Sequence, residues 1–205
     1  MTARVVLATR NAHKVTELRR ILGALPGADG VELVGLDAFP DTPEVVESGV
    51  TFAENALLKA HAVAAATQLP SIADDSGLCV HVMGGMPGIF SALWCGRHGD
   101  DVANLELLLA QLVDIPDGRR TAHFACAAAL ALPDGQEYVF EGRLSGTVVR
   151  SPLGERGFGY DPVFVPEGES RTLAQMTADE KDAISHRGRA FRSLATRVVQ
   201  LGPSG

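Results

Sequence analysis

The chain has 205 residues, with 18 Lys and Arg against 25 Asp and Glu and a formal charge of −7. That length can bury a proper core, the charge argues against a broad nucleic-acid surface, and no apolar stretch is long enough to span a membrane. Cys79, Cys95 and Cys126 are odd in number and share no metal-ligand spacing, so they read as buried thiols of a cytoplasmic protein without a signal peptide.

The elements follow in order. Arg4–Ala8 is a short β-branched run and predicts a buried strand. Val15, Leu18, Ile21, Leu22 and Leu25 recur at helical spacing behind Asn11, a helix N-cap. A second strand is expected near Val31–Gly35. Thr51 and Glu54 form a capping box that opens an alanine-rich helix ending near Gln68. Leu78–Val82 reads as strand, Met83–Gly88 as loop and Val102–Leu112 as helix. Thr121–Leu132 is ambiguous because alanine dominates it. Pro133-Asp134-Gly135 is a turn and Glu137–Leu144 is strand-like, which together predict a hairpin. A glycine-rich loop, Gly154–Asp161, precedes a short strand at Pro162–Val165. A last helix starts near Ser185, with Phe191, Leu194, Ala195, Val198 and Leu201 on one face, and the Gly-Pro-Ser-Gly tail should fray. The order implies one α/β domain over residues 1–205, built on a mixed central sheet flanked by helices.

Four segments carry residue types suited to chemistry. Lysine occurs only at Lys14, Lys59 and Lys181, against fifteen arginines, and each lies in such a segment. An ammonium is a compact point charge where a guanidinium is a planar fork, so a tight phosphate pocket can require lysine. The first segment is Thr9-Arg10-Asn11-Ala12-His13-Lys14, at a strand-to-helix junction whose free N–H groups suit a phosphate; taken alone, an Asn cap with solvated neighbours is the plainer reading. No Walker A pattern is present, which excludes a P-loop NTPase.

The second segment is Asp74-Asp75-Ser76-Gly77. Two adjacent carboxylates at the end of an apolar run repel one another and lose hydration. A divalent cation removes both penalties, but the same residues also make a surface turn. The third, Glu47 to Lys59, places Glu47 in a loop and Asn55 and Lys59 on one helical face; an amphipathic helix with a solvated lysine reads the same way. The fourth pairs Gly157-Phe-Gly-Tyr-Asp161 with Lys181-Asp-Ala-Ile-Ser-His186-Arg187. Its rings among glycines can stack on a base, or simply plug the core.

Taken together these segments resemble the inosine triphosphate pyrophosphatase (Ham1-like) family, and closely its bacterial dITP/XTP branch. The matching stretches are V-L-A-T-R-N-A-H-K, E-S-G-V-T-F-A-E-N-A-L-L-K-A, A-D-D-S-G-L, G-G-M-P-G-I-F-S-A, G-F-G-Y-D-P-V-F and E-K-D-A-I-S-H-R-G-R-A, in family order from Val6 to about Ala190. The resemblance implies an α/β protein of two lobes with the active-site cleft between them. It implies a homodimer that uses Mg²⁺ to split purine nucleoside triphosphates (dITP, ITP, XTP) into monophosphate and pyrophosphate. It assigns phosphate contacts to Thr9, Arg10, Asn11, Ala12, His13, Lys14 and Lys59, with Ser76 beside them. The proton acceptor matches Asp75, and metal ligation matches Glu47 with Asp74 and Asp75. Phe158, Gly159, Tyr160, Asp161, Lys181, His186 and Arg187 match the nucleoside-binding stretches. Arg10 departs from relatives that carry a small or neutral residue there.

On this reading the cations neutralise the triphosphate, and Asp75 deprotonates a water for in-line attack near the α-phosphorus. Donors from His186, Arg187 or nearby backbone would donate to the oxygen of a 6-oxo purine and meet adenine's 6-amino group unpaired. Two alternatives stand beside it. A Maf-like pyrophosphatase acting on pyrimidine or modified nucleotides is opposed by A-D-D-S-G together with S-H-R. A nucleotide-binding module without turnover is opposed by Glu47, Asp74 and Asp75.

Overall fold

The computed structural model describes residues 2–24 and 30–201. Six strands form one sheet in the order β2-β1-β3-β4-β5-β6: β1 (Ala3–Leu7), β2 (Val31–Gly35), β3 (Ser71–Val80), β4 (Thr121–Ala131), β5 (Glu137–Val148) and β6 (Phe164–Pro166). β1 pairs in parallel with both β2 and β3, whereas β5 and β6 are antiparallel, so the sheet is mixed as expected. The helices are α1 (Ala12–Gly23), α2 (Phe52–Thr67), α3 (Asp101–Gln111), α4 (Ala178–Ile184) and α5 (His186–Val198). None of the described helices is long and apolar enough to cross a membrane. The chain divides into two compact units, one of Met1–Asp75, Cys126–Gly142 and Arg187–Gly205, the other of Ser76–Ala125 and Arg143–His186.

The first unit has an apolar cluster on each face of its strands, as the period of two along a strand demands. Val5 and Leu7 of β1 pack with Leu18, Ile21 and Leu22 of α1 and with Phe191, Leu194 and Val198 of α5. Val6 and Ala8 pack instead with Ala56, Ala60, Val63 and Ala64 of α2. The ambiguous alanine segment resolves into β4 on the same logic. Cys126, Ala128 and Leu130 face the α1–α5 side, and Ala127, Ala129 and Ala131 face α2. Alanine hides the period in the sequence, yet it is what lets the alanine-rich α2 lie close to the sheet.

The caps explain where helices begin. Asn11 accepts the N–H groups of His13 and Lys14 at 3.0 and 3.2 Å. Thr51 accepts that of Glu54 at 3.1 Å, but the Glu54 carboxylate reaches past the cap residue to the Val50 N–H at 2.7 Å. Gln68, with φ of 56°, ends α2 in the left-handed conformation. Leu25 and the C-terminal tail lie outside the described residues.

The second unit has a core of Leu78, Val80, Phe124, Leu144, Val148 and Phe164 against Leu105, Leu108 and Leu112 of α3 and its C-cap. Arg120 is buried beneath it and donates to three carbonyls, of Leu112 at 2.6 Å, Val148 at 2.9 Å and Val149 at 3.1 Å. These bonds offset the cost of burying a guanidinium and tie the end of α3 to the end of β5.

The structure departs from the sequence reading in several places. Asp74 and Asp75 lie inside a continuous β3, so the surface-turn alternative falls, and that strand ends at Val80 rather than Val82, where a 3₁₀ turn takes over. β5 runs on to Val148 beyond the expected Leu144. The expected strand at Pro162–Val165 begins as a 3₁₀ turn, leaving β6 at Phe164–Pro166. α4 was not anticipated, although Thr177 and Glu180 form a full capping box at its start.

Candidate active site

Asp74 and Asp75 are consecutive on β3, so their side chains leave opposite faces of the sheet. Asp74 is buried on the α1–α5 side, where its Oδ2 accepts from Lys14 Nζ at 3.0 Å and Arg187 Nε at 3.2 Å. Arg187 is only 2 % exposed and also pairs with the buried Glu17 of α1. Burial opposes ionisation of Asp74, but Lys14, Arg187 and Lys59 outweigh it and hold the carboxyl well below the usual carboxylate range. Burial likewise opposes the charge of Arg187, but Glu17 and then Asp74 outweigh it and raise its pKa.

Asp75 faces α2. Its Oδ2 accepts from Asn55 Nδ2 at 3.2 Å, and Lys59 Nζ lies 3.5 Å from its Oδ1. Lys59 is shared, since it also reaches Glu47 Oε1 at 2.8 Å. Asn55 fixes the loop that carries Glu47 by accepting the Gly49 N–H at 2.8 Å. Burial pushes the pKa of Asp75 up; Lys59 and Lys14 pull it down, Glu47 and Asp74 push it up, and burial decides the direction. Lys59 moves upward too: burial acts against its charge, but Asp75, Asp74 and Glu47 prevail. Identical residue types side by side thus have opposite acid–base character. One is a fixed anion, and the other holds its proton more tightly than an ordinary aspartate.

At the start of α1, Thr9 is half-buried and its hydroxyl accepts the Asn11 N–H at 3.2 Å. Ala12 and His13 are exposed on the opening turn. Arg10 is tethered through Nη2 to the Thr42 carbonyl at 2.7 Å, which occupies the residue that departs from the family pattern. Ser76, half-buried, follows Asp75 on β3.

In the second unit Lys181 donates to Asp161 Oδ2 at 2.6 Å and sits 4.9 Å from the centroid of the Phe158 ring. The same Asp161 oxygen accepts the Phe158 N–H at 3.0 Å. Gly157 is required here: its φ is +76°, and a Cβ would strike the Asp161 carboxylate. Tyr160 is buried, and its hydroxyl donates to the Ser91 carbonyl at 2.9 Å. His186 stacks on Phe124 with centroids 4.7 Å apart and planes 9° from parallel.

The structure therefore brings Lys14, Asp74 and Arg187 together on one face, and Glu47, Lys59 and Asp75 on the other. Within the second unit it groups Phe158, Asp161 and Lys181. Arg187 is adjacent to His186 in sequence, but its guanidinium is engaged with Glu17 and Asp74. Sequence reasoning missed Glu17, three residues after Lys14 and on the same helical face, and left Asn55 without a part. A buried acid inside an amphipathic helix was the available signal.

Among the described residues no three His, Cys, Asp or Glu side chains are arranged to hold a metal. A hard cation nonetheless fits the donor chemistry on the α2 face, where Glu47 and Asp75 present carboxylate oxygens around a single lysine. Magnesium commonly takes one or two carboxylates and completes its shell with water and phosphate oxygens. Asp74, already bonded to Lys14 and Arg187 on the opposite face, does not share that arrangement.

Residues 5–197 match the model of the Ham1 family. A dITP/XTP pyrophosphatase of Streptomyces avermitilis is 67 % identical over 97 % of this chain and 98 % of its own length. One of Nocardia farcinica is 57 % identical over 97 % and 96 %. The crystal structure of the nucleoside-triphosphatase / dITP/XTP pyrophosphatase from Mycobacterium abscessus is similar with a TM-score of 0.76 at 53 % identity, covering 93 % of this chain and 97 % of that one. A HAM1 protein from Coxiella burnetii gives a TM-score of 0.86 at 35 % identity, over 97 % and 100 %. The chain belongs to the Ham1 family.

Proposed function

We propose that the protein hydrolyses non-canonical purine nucleoside triphosphates, dITP, ITP and XTP, to the monophosphate and pyrophosphate. The observation that carries the reading is Asp75, a mostly buried carboxylate with a raised pKa beside Asn55 and Lys59. A carboxylate that holds its proton more tightly than usual is better matched to general-base work than an ordinary one.

Asp75 accepts a proton from the attacking water, which Asn55 and Lys59 help to orient. Lys59, Lys14 and the N–H groups at the start of α1 take up triphosphate charge, so the in-line displacement runs against a prepared field. For that, Lys14 exchanges its Asp74 partner for phosphate oxygens, while Arg187 and Glu17 keep Asp74 in place. Glu47 and Asp75 would hold Mg²⁺, which when bound neutralises the triphosphate and the leaving pyrophosphate. Phe158 with Lys181 and Asp161 serves the nucleoside. Selection of a 6-oxo purine falls to His186 and neighbouring backbone donors, since the Arg187 guanidinium is committed to acids. We also place the enzyme in the cytoplasm as a homodimer.

The test is release of pyrophosphate from dITP, ITP, XTP, GTP and ATP, with and without Mg²⁺. Pyrophosphate from the first three, with ATP spared, is expected. Stoichiometric orthophosphate, or equal rates on ATP, would refute the mechanism or the selectivity.

A further inference from the structure

α3 opens with two consecutive acids that do different things. Asp100 is the N-cap: its Oδ1 accepts the Ala103 N–H at 3.1 Å, and its Oδ2 pairs with Arg97 at 2.8 Å. The cap is thereby filled, and Asp101, the first helical residue, is not needed for it. Its Oδ2 instead accepts the N–H of Gly159 at 2.9 Å, across 58 residues of sequence. The first turn of a helix is where a carboxylate is stabilised by the aligned peptide dipoles, so the anion is held ready for this bond.

Gly159 needs such a tie. Its φ is +61° and a Cβ would meet nothing within 4 Å, so packing does not confine it. Glycine enters the left-handed region freely and leaves it as freely. Its neighbours are anchored separately, Phe158 through its N–H to Asp161 and Tyr160 through its hydroxyl to Ser91. Between those anchors the peptide that carries Gly159 is pinned by Asp101.

We propose that Asp101 is a positioning residue for nucleoside recognition, acting through the Gly159 N–H to hold the Gly157–Asp161 loop in its binding conformation. It rests on the proposed role of Phe158–Asp161 towards the nucleoside. A loop ordered in advance spares the ligand the cost of ordering it, so its loss appears in substrate binding rather than in chemistry.

The experiment compares Asp101→Ala, Asp101→Asn and Asp100→Ala with the wild type, following dITP hydrolysis, thermal melting and inhibition by inorganic tripolyphosphate. Asp101→Ala is expected to raise KM about tenfold, the loss of one charge-assisted hydrogen bond, with kcat within about twofold. Its tripolyphosphate inhibition should match wild type, because the phosphate contacts are intact, and its melting temperature should fall less than that of Asp100→Ala, because the cap is kept. Asp101→Asn keeps an acceptor and should restore most of the affinity. Asp100→Ala should lower the melting temperature and leave KM unchanged. A wild-type KM in Asp101→Ala overturns the inference, as does a KM rise that tracks a fall in melting temperature and is not rescued by asparagine. Wild-type protein inactive on dITP would instead overturn the functional reading beneath it.

Discussion

Replacing Asp74 or Asp75 by asparagine removes one charge from the same strand, yet the two substitutions should move stability in opposite directions. The folded-state pKa of Asp74 is depressed, so its stabilisation is present above the unfolded value and lost as pH falls through the folded one. Asp74→Asn leaves Arg187 and Lys14 short of a partner, and breaking a buried pair of this kind costs about 3 kcal/mol. The pKa of Asp75 is raised, so any stability it lends exists at low pH and disappears as pH rises through the folded value. At neutral pH without divalent cation Asp75→Asn should therefore melt at or above the wild-type temperature. Its hydrolysis of dITP should fall at least about 10²-fold, the loss expected of a general base. Melting and rate profiles of the two variants from pH 4 to 9 check all of this, and a coincident pair of profiles would deny the division of labour.

At the level of elements, β4 and α2 meet through small side chains, Ala127, Ala129 and Ala131 against Ala56, Ala60 and Ala64. Ala129 is fully buried, so Ala129→Leu should cost about 1–3 kcal/mol by overpacking, read as a lower urea midpoint. Because α2 carries Asn55 and Lys59, activity should fall as well. A stable and fully active variant would show that α2 can move without consequence. This interface also marks the limit of what sequence reveals. Caps at Asn11 and Thr51 were legible because a local hydrogen bond writes a local signature. β4 was not, because alanine suits helix and strand alike and its period emerges only against two flanking helices. α4 carried a legible capping box, but its seven residues are too short for a hydrophobic period to reinforce it.

For the whole molecule, family membership was legible in six ordered motifs, while the geometry of the candidate site was not. Nothing local tells that two adjacent aspartates serve opposite faces, or that Arg187 reaches Glu17 across 170 residues of sequence. Those facts depend on which helix covers which side. They also predict how the protein responds to metal. Mg²⁺ at one hundred times its Kd stabilises by about 2.7 kcal/mol through mass action, seen as a rise in melting temperature. Glu47→Gln and Asp75→Asn should abolish that rise, whereas Asp74→Asn should keep it from a lower baseline. A rise lost only in Asp74→Asn would move the cation to the other face. Chelator should stop hydrolysis while leaving the circular dichroism spectrum unchanged.

The opposed directions of Asp74 and Asp75 also constrain how this strand can change by insertion or deletion. Adding one residue ahead of Asp74, with the following part of β3 sliding to absorb it, would turn every later side chain to the other face. An aspartate would still stand near each set of partners, so a motif search would find little amiss. Yet the acid delivered to Lys14 and Arg187 would be Asp75, one position further along, and Asn55 and Lys59 would meet Asp74. Length changes here are therefore far less tolerable than substitutions, and a two-residue change, which restores the facing, should do less harm than a change of one.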